Sequence, residues 1–388
     1  MSAVDLADPA DGVHASVLHR VFRRVEERRR THPDQRIVPL HVGEPAFEPL
    51  IEAGEAMELA VRERRAGYCD AAGIADLRDA LCEKVRSDNL LSTTPDLMFV
   101  GSGSTQLLLS LFRALTRPGD VVLLPRPYWP IYVHQCSVLG LTPAFYAVGS
   151  DGDLDLDALA WHGRRAKVLV LNSPSNPQGA VLARPTLERA LELAHRYGWQ
   201  VVSDEAYEDF VFIGDHLSPA SLEAEAGRPS RVATLFSFSK TYGLTGLRLG
   251  YLATPTRPVA DAVRRVQEAS IVAPSTPAQY AGLAALATRH ATVAANRELM
   301  ARSRSVALPQ LIEAGLLDAP TAGGWYAMGR VPAGFDSSAE FAEVLFDETG
   351  VAVVEGSAFG VEDGFRIALC ASPDDVAEGV RALCSLAR

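Results

Sequence analysis

The sequence predicts an α/β protein: a large domain built on a mostly parallel seven-stranded sheet between helices, joined to a smaller α+β domain. Three observations carry that expectation. From Leu97 onward, short apolar runs alternate with longer helical stretches, the pattern of a wound sheet. Several of those runs, KVLVL at 167–171 among them, are unbroken rather than alternating, as strands buried on both faces require. Beyond Pro277 the pattern changes, with a long Ala-rich helical stretch and then isolated strands and helices.

In chain order, the first twelve residues read as a loose arm. Residues 14–30 read as a helix with Val17, Val21 and Val25 at four-residue spacing, and its RRVEERRR end sets positive charge where the carboxyl end of a helix favours it. IVPLHVGEPAFEPL gives a short strand and a Gly-Glu-Pro turn, and helices follow at 52–65 and 74–88. The sheet strands are expected at 97–100, 121–124, 143–147, 167–171, 200–203, 233–236 and 248–253, with helices between them at 104–115, 128–137, 157–161 and 186–197. Long helices are expected at 258–270 and 277–314, the second broken or bent. Strands at 324–331, 351–354 and 365–369 and helices at 338–350 and 373–386 complete the chain. The expected division is 1–47 as arm and part of the small domain, 48–275 as the large domain, and 276–388 as the rest of the small one.

A chain of 388 residues with 48% hydrophobic content is long enough for two domains sharing an interface. Its 37 basic and 48 acidic residues leave a net charge of −11, which argues against a general nucleic-acid or anionic-membrane surface. The five cysteines, Cys69, Cys82, Cys136, Cys370 and Cys384, are scattered with no CxxC, so no disulfide framework or metal site is expected. The acidic N-terminus lacks a basic flank and an apolar core, and no apolar run approaches the roughly 18–20 residues that span a bilayer. A soluble cytoplasmic protein is the expectation.

Chemistry concentrates in SFSKTYGLTGLRLGY, residues 237–251. The Lys240 amine can carry an imine to a carbonyl cofactor. Ser237 and Arg248 can hold a phosphate, since a planar guanidinium makes paired charge-assisted bonds to phosphate oxygens. GSGSTQ at 101–106 follows a strand and opens a helix, where backbone N–H groups and hydroxyls either cradle an anion or merely cap the helix. NSPSNPQG at 172–179 is first a rigid turn. VVSDEAYEDF places Asp204 and Tyr207 just past a strand, the usual position of functional groups in such sheets. Asp204 there reads as a helix cap or as the partner of a protonated ring nitrogen. PRPYWPIY offers aromatic faces for packing or for stacking, and Arg366 in EDGFRIALC reads, taken alone, as a surface strand residue.

In this combination and order the motifs resemble those of the class I/II aminotransferases, the pyridoxal-phosphate (PLP) superfamily of aspartate-aminotransferase fold, fold type I. The resemblance runs from Leu40 to the C-terminal helix. It implies PLP on Lys240, with Asp204 facing the pyridine nitrogen and with Asn176 of the NPTG-like NPQG, and Tyr207, donating to the phenolic oxygen. It implies Ser104, Thr105, Ser237 and Arg248 around the phosphate, Trp129 stacked on the ring and Tyr132 reaching Asp204 from behind. Tyr68, in GYCDAAGIADLR, matches a tyrosine that reaches the partner subunit's phosphate, so the resemblance implies a homodimer with shared sites. Gly43 matches a glycine that lets backbone approach the substrate, and Arg366 the arginine that grips its α-carboxylate and orients it. Lys240, Asp204 and Tyr207 are the implied catalytic residues. Two departures are local: Glu355 replaces a frequent proline in EGSAFG, and Trp325 a frequent phenylalanine in GGWY.

The implied activity is transfer of the α-amino group of an L-amino acid to a 2-oxo acid. One bacterial subgroup that the sequence resembles has a lysine where this chain has Thr105, and SIVAPSTPAQ at 270–279 contains no arginine. A buried distal carboxylate with no cation is costly, so a dicarboxylic donor such as aspartate is expected not to be preferred. The alternative is a PLP-dependent carbon–sulfur β-lyase or another PLP enzyme acting at the amino-acid α or β carbon, because the cofactor's electron sink serves all of these outcomes. A PLP-bound regulator would need a DNA-binding domain, for which the N-terminal arm is too short.

Overall fold

The computed structural model describes residues 16–387. The expected arm lies outside them, and the first helix is described as Val17–Thr31, with Arg28, Arg29 and Arg30 in its last turn. Strand β1 (Val38–Pro39) follows, then helices Ile51–Arg62 and Ala75–Asp88.

The central sheet is formed by β2 (Met98–Gly101), β3 (Val121–Arg126), β4 (Thr142–Ala147), β5 (Ala166–Asn172), β6 (Gln200–Asp204), β7 (Val232–Ser237) and β8 (Gly250–Ala253), in the order β2-β8-β7-β6-β5-β3-β4. All its pairings are parallel except those of β8, which runs antiparallel to both β2 and β7. The unbroken apolar run of β5 has a direct cause. Val168 and Val170 face one layer, with Leu107, Leu111 and Phe112 of helix Gly103–Leu115 and Val263 of helix Arg257–Ile271. Leu169 and Leu171 face the other, with Leu187, Leu191 and Ala194 of helix Arg184–Tyr197. A strand sandwiched in this way has no polar face to alternate with.

The smaller domain contains β9 (Tyr326–Arg330), β10 (Val351–Ala352), β11 (Val354–Glu355) and β12 (Gly364–Ala368). Where one strand is expected at 351–354 there are two, in different sheets: β10 pairs in parallel with β1, whereas β11 joins the antiparallel order β11-β12-β9. Val38, Leu40, Val351, Phe365 and Ile367 pack there with Leu311 and with Val376, Val380 and Leu383 of helix Pro373–Leu386. The expected long helix at 277–314 is two, Thr276–Ala287 and Arg289–Glu313, separated at Thr288. The first lies against the large sheet's layer, its Ala285 and Leu286 buried with Leu77, Leu81 and Val85, beyond the expected division at 275/276. Helix Pro219–Glu225, seven residues long, was not anticipated, being too short to show a helical period.

Candidate active site

The carboxyl ends of β5, β6 and β7 lie side by side, Asn172 opposite Asp204 and Asp204 opposite Leu235. A cavity of about 520 Å³ opens over this edge. In parallel sheets such an edge is where ligands bind, because loops and helix N-termini converge there. Lining it are Gly43, Ser104, Thr105, Trp129, Asn176, Asp204, Tyr207, Ser237, Lys240, Arg248 and Arg366. Of the expected site residues only Tyr68 is elsewhere. Its side chain is 92% exposed at the surface of its own chain.

Lys240 sits in the short helix Phe238–Thr241 directly after β7. Its Nζ donates to the Gly43 carbonyl at 2.9 Å and lies 4.9 Å from the Trp325 ring centroid. The chain has three lysines. Lys84 is buried and donates to Glu208 at 2.5 Å, Lys167 is exposed, and Lys240 alone lines the cavity.

Asp204 is buried. Its Oδ2 accepts from the Tyr132 hydroxyl at 2.6 Å and its Oδ1 from the Ala206 N–H at 3.2 Å. Burial pushes this carboxyl above its ordinary range, although the Tyr132 and Ala206 bonds and the Lys240 charge oppose that. A carboxylate so placed is completed by a cationic donor. A protonated pyridine nitrogen fits that need.

Groups able to donate to an anion gather at the start of helix Gly103–Leu115. Here Gly103 has φ +80°, and an added Cβ would lie 2.6 Å from the Arg248 Nη2. A Cβ on Gly250 would lie 2.4 Å from the Ser104 nitrogen, so both glycines are what lets this helix start, β8 and Arg248 meet. Arg248 itself is in the left-handed region, φ +52°, which costs a non-glycine residue energy and recurs at functional sites. Its Nη1 donates to the Thr245 carbonyl at 2.9 Å and reaches Ser239 Oγ at 3.5 Å. Backbone N–H groups, the hydroxyls of Ser104, Thr105, Ser237 and Ser239, and this guanidinium form a donor set suited to a phosphate.

Arg366, far from being a surface residue, is 3% exposed. Its guanidinium lies between the Tyr326 ring, at 4.2 Å, and the Phe359 ring, at 4.7 Å. Nη2 donates to the His41 carbonyl at 2.7 Å and Nη1 to Asn176 Oδ1 at 3.2 Å, while Nε is buried with no partner. The Asn176 amide therefore keeps Nδ2 as the donor available to a phenolic oxygen. Asn172 holds the loop in place by accepting from the Asn176 N–H at 2.9 Å and donating to the Asp204 carbonyl at 3.0 Å.

Sequence reading missed Ser239, Asn172 and Tyr326, and also Ser16, His19 and Phe22, which the first helix and its N-cap bring to the cavity. Ser239, next to Lys240 and spaced to meet Arg248, and Asn172, directly after the KVLVL run, were legible in principle. No local signal marks the others, because they arrive through long-range packing.

The family profile described as "Aminotransferase class I and II" matches residues 35–383. The chain belongs to this family. Among relatives of these class I and II aminotransferases, an aspartate/prephenate aminotransferase of Cereibacter sphaeroides is 34% identical over 369 residues, covering 90% of this chain and 91% of the relative. Another so named, from Thermus thermophilus, is 33% identical over 356 residues and 90% of each chain. The structure of a Thermus thermophilus aspartate aminotransferase with maleate superposes with a TM-score of 0.92 at 30% identity, covering 99% of this chain and 100% of that one. As a fold type I, PLP-dependent aminotransferase, the chain is an enzyme whose cofactor is carried on a lysine, and its substrates are small amino and 2-oxo acids.

These relatives overturn one expectation. Disfavour for dicarboxylic donors rested on the missing cation at Thr105 and in 270–279, yet relatives named for aspartate align along nearly the whole chain. The physical reason is that only two places for a distal-carboxylate partner were weighed. The cavity is also lined by Ser16, His19 and His41, polar groups from segments distant in sequence.

No helix among the described residues is long and apolar enough to cross a membrane. Asp209 accepts from the Thr241 hydroxyl, next in sequence to Lys240, at 2.5 Å, and burial, followed by the neighbouring Glu208 charge, raises its carboxyl to about 6. A raised acid destabilises the fold once ionised, so this penalty is absent below the unfolded value near 4 and complete above about 6. Asp209→Asn is therefore expected to lose less stability than the parent between pH 4 and pH 7, by about 2 kcal/mol. Thermal midpoints at both pH values check this, and parallel profiles for the two proteins would refute it.

Proposed function

We propose that this enzyme transfers the α-amino group of a dicarboxylic L-amino acid, aspartate foremost, to a 2-oxo acid, using PLP held on Lys240. One observation carries the site assignment: the single cavity-lining lysine faces a buried carboxylate, Asp204, and a buried arginine, Arg366, across the same space. The substrate class rests on the relatives' names.

Bound PLP supplies an electron sink that makes the substrate's α-proton removable. The chain's residues do the rest. Asp204 keeps the ring nitrogen protonated, and the Tyr132 hydroxyl, held as a donor because burial pushes its own titration far up, fixes the carboxylate's direction. Asn176 and Tyr207 donate to the phenolic oxygen, Ser104, Thr105, Ser237, Ser239 and Arg248 hold the phosphate, and Trp129 covers the ring. Arg366 grips the α-carboxylate, which sets the Cα–H bond toward Lys240. Once the substrate's amino group has displaced it from the cofactor carbonyl carbon, the freed Lys240 amine would take the proton from the substrate Cα and deliver it to that cofactor carbon.

Two copies complete the site in this proposal. Tyr68 is exposed on its own chain, as are Ile51, Leu59, Val61 and Val272, and in this proposal a second copy covers Tyr68, which reaches that copy's phosphate. We place the homodimer in the cytoplasm.

The test is a single-turnover screen of the PLP-loaded protein against aspartate, glutamate, alanine, phenylalanine and cystathionine, following loss of the yellow colour and identifying the keto acid. Aspartate is expected to react with the highest kcat/KM and to yield oxaloacetate. Pyruvate and ammonia from cystathionine, with no amino-group transfer, would identify a lyase instead.

A further inference from the structure

Tyr326 opens β9 opposite Ala368, is 3% exposed and lines the cavity. Its hydroxyl occupies the meeting point of three elements. It lies 3.3 Å from the Tyr207 hydroxyl, with the two rings 5.8 Å apart and nearly perpendicular. It also fills the space over Gly43, where an added Cβ would come within 1.8 Å of it. Gly43 is the residue whose carbonyl accepts from Lys240, and the Tyr326 ring carries the Arg366 guanidinium on its face. A phenylalanine would keep that stacking. Only the hydroxyl needs Tyr207 as a neighbour.

A phenol has one proton and two lone pairs. With no ligand, either hydroxyl of the pair can donate to the other. If Tyr207 turns its proton to a cofactor oxygen, its own oxygen needs a new donor, and the oxygen within reach is that of Tyr326. Burial raises the Tyr207 phenol well above its ordinary range, with Tyr326 the next contributor, so it stays a proton donor. The charged and titratable groups facing it are Arg366 from β12, Lys240, the Tyr132 phenol and the Cys370 thiol, which burial pushes up to about 12 and so keeps neutral.

Resting on the functional reading above, we infer that Tyr326 is a positioning residue: it donates to Tyr207, which in turn donates to the phenolic oxygen of PLP, as a two-tyrosine relay. Donors strengthen one another along such a chain. The relay stabilises negative charge on the phenolic oxygen and thereby weakens that oxygen's hold on the proton shared with the Lys240-linked nitrogen. Removing the first donor lets the proton bind more tightly.

The experiment is a pH titration of the visible absorbance of PLP-loaded wild-type, Tyr326→Phe, Tyr207→Phe and doubly substituted proteins, without substrate. Tyr326→Phe is expected to move the midpoint upward by about 0.4–1 pH unit, the effect of one hydrogen bond, and Tyr207→Phe to move it further in the same direction. The double variant should match Tyr207→Phe alone, because a residue acting through another has nothing to add once that one is gone. An unmoved midpoint in Tyr326→Phe, or additive shifts in the double variant, overturns the relay while leaving the Lys240 assignment intact. If the wild-type protein forms no visible chromophore with PLP, the functional reading fails and the relay with it. Should Tyr326→Phe fail to fold, Tyr326→Leu, which removes the donor, is compared with Tyr326→His, which keeps one: a higher midpoint in the leucine variant is expected, and equal midpoints would overturn the relay.

Discussion

Lys240→Ala is expected to leave a folded protein that binds PLP without its yellow protein-linked absorbance and does not turn over. Two losses combine in this variant. The covalent link cannot form, since neither of the other lysines can substitute: Lys84 is held by Glu208 and Asn89 in a buried network, and Lys167 is on the surface. In the proposed mechanism the base that moves the α-proton is lost as well, and a positioned acid–base group alone contributes up to about 10⁴-fold. A fall in kcat of at least about 10⁴-fold is the expected measurement, with the thermal midpoint little changed because Nζ makes a single protein hydrogen bond, to Gly43. Normal multiple turnover by this variant would remove Lys240 from the mechanism.

Arg366→Ala should have the next largest effect, and its signature is uniformity. Every amino acid presents an α-carboxylate, so kcat/KM should fall by about 10²–10³-fold for aspartate, alanine and phenylalanine alike, while the bound cofactor keeps its colour. Because Arg366 also holds the His41 carbonyl and Asn176, part of the loss in the alanine variant reflects a loosened loop. Arg366→Lys separates the contributions by retaining the charge while giving up the planar fork. It should recover stability more than activity. Loss confined to dicarboxylic substrates would instead place Arg366 at the distal carboxylate.

Much of this was legible because the decisive residues follow directly on buried strands. Asn172, Asp204 and Ser237 each end a strand whose apolar run is visible in the sequence, and parallel pairing then brings the three together. The Tyr132–Asp204 bond is one that the family resemblance implies, joining two of its motifs. What escaped depends on packing between distant segments. Arg366 looked like a surface residue on its own, but β12 is an inner strand of its sheet, and the aromatic faces that bury the guanidinium come from Tyr326 and Phe359. The first helix carries an amphipathic pattern but no sign of the cavity to which it brings His19 and Phe22. The substrate expectation failed for the same reason. It treated one helix start and one loop as the whole wall of a pocket that several elements build.

The most direct measurement is borohydride reduction of the PLP-loaded protein followed by peptide mapping, because the chain offers only three lysines for the attachment. The expected result is a single phosphopyridoxyl label on the peptide containing Lys240. A label on Lys84 or Lys167, or a fully active protein with no label at all, would contradict the covalent attachment on which the proposed chemistry depends.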